Sequence, residues 1–128
     1  MNYNQLNQLV ANLNAVIGNQ ESKTQKKLFR IYEKVKSHHE AYQTEVESLR
    51  LDNAQVDSND CLILDEKNGY KFTKESIKKL TEQLQDLGNK EFAFDKINIA
   101  NTQGLEDFTF LESWTNGITF IKVIEEEL

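Results

Sequence analysis

There is no proline anywhere in this chain, and only five glycines, two histidines and one cysteine. Each shortage excludes something. Without proline, no helix is forced to kink or stop early. One cysteine rules out an intrachain disulfide, and with two histidines it leaves little from which to build a metal centre. His38 and His39 are neighbours on a predicted helix, so they point roughly 100° apart and cannot share an ion. Asp57-Ser58-Asn59-Asp60 opens like a calcium loop, but Leu62 stands where glycine is required and the closing glutamate is missing. There is no glycine-rich phosphate loop and no Gly-x-Ser-x-Gly elbow. No apolar run reaches the ~20 residues of a membrane span. The first twenty residues carry neither a basic start nor a continuous apolar stretch, so no signal peptide is expected. Cys61 opens the short apolar run Cys61–Leu64, the setting of an inert buried thiol. The expectation is a protein with no catalytic residues, no cofactor and no metal, which is not an enzyme.

What is present is helix. With 128 residues and 38% hydrophobic content, the chain is long enough to bury one core. From Ser22 to about Val56 the residues Leu28, Tyr32, Val35, His39, Tyr42, Val46, Leu49, Asn53 and Val56 fall at alternating steps of four and three. That spacing is a seven-residue repeat and predicts one long helix of roughly 50 Å. Ser22 and Gln25 have the spacing of a capping box at its start. Residues 4 to 17 form a shorter amphipathic helix, closed by Gly18 in a left-handed cap, so the first two helices make an antiparallel hairpin.

After an acidic link, Asn68-Gly69 signals a β-hairpin in which Leu64 faces Phe72 and Asp65 faces Lys71. Thr73 caps a helix striped by Ile77, Leu80, Leu84 and Leu87 and ended by Gly88. Phe92, Phe94, Ile97 and Ile99 alternate with a slip of phase at Asp95-Lys96, which a bulged strand or an extended crossing segment would explain. A short helix is expected from Gly104 through Trp114. Residues 118 to 124 read as a strand, with a last helix as the alternative. No internal repeat is evident. The fold class is therefore α+β and mostly helical: a helical hairpin over 1–56, then a small α+β part over 57–128 packed on it as one folding unit.

The charges carry the only functional signal. Lys23, Lys26, Lys27, Arg30 and Lys34 share one helical face, and Glu33 is the only acid between Ser22 and Lys36. Glu91 to Leu128 holds eight acids against Lys96 and Lys122, so the chain is bipolar although its net charge is −6. The plain reading of the basic face is solvated surface. The functional reading is contact with an acidic protein surface, on another copy of this chain or on a different protein. Nucleic acid ranks behind both, because no aromatic or glycine-rich element interleaves with the stripe and the net charge opposes it.

Taken together, the leading helix, the long Lys/Arg-rich helix, the Asp65-Glu66-Lys67-Asn68-Gly69 turn and the Phe72-Thr73-Lys74-Glu75 helix start resemble small uncharacterised proteins encoded by tailed bacteriophages. The resemblance covers roughly Lys26 to Glu91. It implies a structural or assembly component of the virion or tail, partnered by virion proteins or by itself, and located in the particle or the host cytoplasm. A soluble inhibitor or adaptor of a host protein is the alternative of another class. A weak nucleic-acid-binding accessory protein is the third.

Overall fold

The structure, a computed structural model, describes residues 1–67 and 69–120. Three helices make up most of it: α1 (Tyr3–Ile17), α2 (Ser22–Asn53) and α3 (Lys74–Gly88). Two short strands, β1 (Ile97–Asn98) and β2 (Thr115–Asn116), pair in parallel and flank a single 3-10 turn at Thr109–Leu111. This is a mostly helical α+β fold. Among the described residues, no helix is long and apolar enough to cross a membrane.

α1 begins where Asn2 and Gln5 close a reciprocal capping box, the Asn2 side chain accepting from the Gln5 amide at 2.9 Å. Its apolar face (Tyr3, Leu6, Leu9, Val10 and Leu13) is buried against α2. Gly18 ends it in right-handed geometry, φ −68°, and not in the left-handed cap expected there. The Ser22–Gln25 capping box does not form either. Glu21 is the N-cap and has no side-chain bond, while the Gln25 amide donates to the Ile17 carbonyl at 2.9 Å. The turn between the helices is thus held by the second helix reaching back to the first.

The 32 residues of α2 span about 48 Å. Its buried stripe corrects the heptad line. Leu28 and Val35 are fully enclosed, but so is Ile31, which that line skips in favour of half-buried Tyr32. His39, Tyr42, Val46 and Leu49 are half-buried, Thr24 and Asn53 are buried, and Val56 lies exposed beyond the helix. Thr24 and Tyr42, Leu28 and Val46, Ile31 and Leu49, Val35 and Asn53 form four pairs, each separated by five turns at about 3.6 residues per turn. That is the period of a straight helix lying on a globular core, which a strict seven-residue repeat drifts away from.

The second half of α2 is covered by α3. Asn53 ties the two helices together, its amide donating to the Leu49 carbonyl at 2.8 Å and to Gln83 Oε1 at 2.6 Å. Lys90, just past α3, meets Glu45 at 3.3 Å. The start of α3 has the Thr73 cap read from the sequence, in a box with Ser76. Its end sits so close to α1 that a Cβ on Gly88 would lie 2.3 Å from Asn4 Oδ1.

Between α2 and α3 the chain folds into two hairpins of one design. In the first, Asp57 Oδ1 accepts from the Asn59 and Cys61 amides at 2.8 and 3.1 Å, and the Asp57 amide donates to the Cys61 carbonyl. In the second, Asp65 Oδ1 accepts from the Lys67 and Gly69 amides, both at 2.8 Å, and the Asp65 amide donates to the Gly69 carbonyl. The bridges Val56–Leu62 and Leu64–Tyr70 repeat in the same way, eight residues apart. The two turns thus repeat in geometry, with Asp57 and Asp65 in equivalent places, although the stretches that form them share little sequence beyond that aspartate. The register of the second hairpin also differs from the one expected, since Leu64 faces Tyr70 and not Phe72. The Asp65 carboxylate bonds its own loop instead of facing Lys71. Cys61, at the tip side of the first hairpin, is exposed, which corrects its reading as buried.

From Glu91 the chain crosses back over the core. Phe92 donates its amide to the Met1 carbonyl at 2.8 Å, and Asn2 bridges Glu91. The stretch from Gly104 to Trp114 is a series of turns with one 3-10 turn, not the helix expected. Its apolar residues Leu105, Leu111 and Trp114 nonetheless close the core over α1 and α2. Of the proposed last strand, Ile118–Phe120 is irregular, and residues 121 to 124 lie outside the described residues.

Candidate interaction surface

The side chains of α2 that point away from the core divide by charge along its length. Lys23, Lys26, Lys27, Arg30 and Lys34 stand on the first half, and Glu40, Glu45, Glu47 and Asp52 on the second. Three of these four acids are engaged within the molecule. Glu40 lies 3.9 Å from Lys36, Glu45 3.3 Å from Lys90, and Glu47 3.7 Å from Arg50. Glu47 also accepts from the Tyr70 hydroxyl at 2.5 Å, and the Arg50 guanidinium lies over the Tyr70 ring. That hydrogen bond, with burial and the carboxylate charge behind it, holds the Tyr70 phenol above its ordinary range. The basic half is not so engaged. Among the described residues, none of its five cations is ion-paired.

Lys27 has a structural task. Its ammonium donates to Asn101 Oδ1 at 3.1 Å and to the Gln103 carbonyl, pinning the 101–103 loop beside the helix. The same loop is set by Gly104, whose φ of +88° suits glycine and whose absent Cβ leaves room for Thr24 Oγ1. With the loop fixed, the segment from Ile97 to Asn101 runs alongside α2 and leaves a groove of about 330 Å³. Lys27, Arg30 and Lys34 line one wall of this groove, the β1 segment lines the other, and Ile31 and Leu105 supply apolar lining. A second hollow continues past Lys34 to Lys96 and Phe94, and a third continues past Lys27 to Lys23. Lys26, on the far flank of the same helical face, lines none of them.

Behind this surface the chain is held by a row of rings. Tyr42 packs on Tyr3 at 5.3 Å, Tyr3 on Phe92 at 5.2 Å, and Phe92 on His38 at 4.7 Å. His38 meets the edge of Phe94 at 5.9 Å, and Phe94 meets Trp114 at 5.1 Å. His38 is thus packed among aromatic rings, a place the heptad line assigned to His39. Among the described residues, no group of three His, Cys, Asp or Glu side chains could hold a metal ion.

Of the residues singled out from sequence, the structure gathers Lys27, Arg30 and Lys34 at one groove and Lys23 at its end. The opposite wall is marked in the sequence only by the alternation of Ile97 and Ile99, and nothing local there signals that this segment returns beside α2. The chain matches no protein-family model, no curated protein and no solved structure.

Proposed function

We propose that this chain is a non-enzymatic binding and assembly protein whose basic face on α2 engages an acidic surface of a protein partner. The observation that carries the reading is the asymmetry of its ion pairs. Glu40, Glu45 and Glu47 on the second half of α2 are paired internally, while Arg30 and Lys34 hold their charges along a groove with apolar lining and Lys23 and Lys26 hold theirs beside it. Unpaired cations beside apolar surface favour a partner that brings carboxylates and some hydrophobic area together. In the phage setting implied by the sequence resemblance, that partner is another virion or tail protein.

The test is charge reversal at Arg30 and Lys34, read by co-sedimentation with purified particles and by a thermal melt. Exposed charges are worth ~0–1 kcal/mol each, so the melt should hardly move. Association should weaken, and the loss should be largest at low salt, where screening is weakest. Variants that associate like wild type at low salt would reduce the face to solvated surface. A stoichiometric host protein recovered from infected cells, with none of the chain in particles, would favour the inhibitor reading instead.

A further inference from the structure

We propose that the partner docks as an extended acidic strand added to the free edge of β1, within the groove that β1 and α2 form between them; this rests on the reading of the basic face as a protein-binding surface. Among the described residues, β1 is paired on one side only. The Ile97 and Ile99 amides donate to the Trp114 and Asn116 carbonyls, both at 2.9 Å. In an extended chain the peptide groups alternate in direction, so those of Asn98 and Ala100 point the opposite way. Neither amide has a protein partner among the described residues. This open edge belongs to the segment that forms one wall of the groove, and the cations of α2 form the other.

Strand addition needs such an edge, since the main-chain bonds supply affinity and alternate side chains supply specificity. A strand paired to β1 would lie about 4.8 Å from it. Its side chains would alternate, one set turned down beside the half-buried Ile97 and Ile99 and the other turned out among Arg30 and Lys34. The occupant that fits is therefore a segment in which apolar and acidic residues alternate. A nucleic acid would use the cations, but its phosphates do not repeat with the donor and acceptor spacing of a strand edge.

The experiment uses the full chain and an end-blocked peptide of alternating glutamate and valine. Three controls accompany it: the same composition with the glutamates in one block, the alternating peptide with every second amide methylated, and a single-stranded oligonucleotide. The alternating peptide should bind and slow amide exchange at Asn98 and Ala100. Methylation of the edge amides should weaken binding about tenfold, the equivalent of one or two lost hydrogen bonds. The double variant R30E/K34E should weaken it by a similar factor while melting like wild type.

If the blocked and methylated peptides bind as well as the alternating one, with no change in exchange, strand addition falls and the basic face stands. If the alternating peptide does not bind, strand addition also falls. If R30E/K34E binds like wild type, both readings fall. Displacement of the peptide by the oligonucleotide, with tighter binding of the latter, would overturn the protein partner in favour of nucleic acid.

Discussion

Val35 is fully enclosed and Leu49, two heptads on, is only half-buried, so the same substitution should carry different costs at the two positions. An unpaired carboxylate at Val35 should cost roughly 3–5 kcal/mol, and the half-buried one clearly less, since its charge can reach water. Thermal melts of V35D and L49D check the order, and equal melting points would mean that the stripe is drawn wrongly. Gly104→Ala should cost roughly 1–2 kcal/mol, because it meets both a left-handed backbone and the Thr24 hydroxyl, 2.6 Å from the new Cβ. Tyr70 yields a dependence on pH. Its phenol is held above the ordinary value of 10.0 by its bond to Glu47, so the neutral form is the one the fold favours. The stabilisation is complete below pH 10.0 and is lost as pH rises through the raised value. An ultraviolet titration of the wild type should show late tyrosine ionisation that Tyr70→Phe removes.

At the scale of elements, the helices were legible and the connections between them were not. Apolar spacing marks α1, α2 and α3 because each buries one face, and that face must recur with the helical period. A heptad line along α2 passes over Ile31, because on a straight helix a seven-residue repeat drifts off the core. The expected helix from Gly104 to Trp114 failed for another reason. Leu105, Phe108, Leu111 and Trp114 recur at steps of three, which a chain of tight turns satisfies as well as a helix does. The tandem hairpins were hidden because Cys61 stands in the first unit where Gly69 stands in the second. What the units share is an aspartate that accepts two amides of its own loop. Asp57→Ala should therefore speed amide exchange at Asn59 and Cys61 and leave Lys67 and Gly69 protected. Simultaneous opening of both loops would show that they form one cooperative unit.

Over the whole molecule, the candidate surface was half legible. The basic stripe on α2 needs only a helical wheel, but the groove needs the chain to return after α3 and lie beside it. That return depends on contacts far apart in sequence. Phe92 packs on Tyr3 and His38, and Lys27 holds Asn101 and Gln103. Lys27→Met should test the arrangement, keeping most of the stem while removing the ammonium. It should leave α2 folded, loosen the 101–103 loop and reduce binding through the groove wall, although Arg30 and Lys34 remain. Amide exchange at Gln103 and Gly104 is the measurement. Unchanged exchange would mean that the loop is held by Gly104 and Leu105 alone.

The row of rings ending at Trp114 has a practical consequence. Trp114 is the single tryptophan and is only 4% exposed, against the edge of Phe94. Its emission should be shifted to the blue and should report on the core without interference. The single cysteine lies elsewhere, exposed on the first hairpin beyond the end of α2. The unmodified chain thus carries one fluorescent donor in its core and one attachment point for an acceptor dye on its hairpin. Energy transfer between them would show whether the hairpins and α3 separate from the core before it unfolds, with no residue replaced.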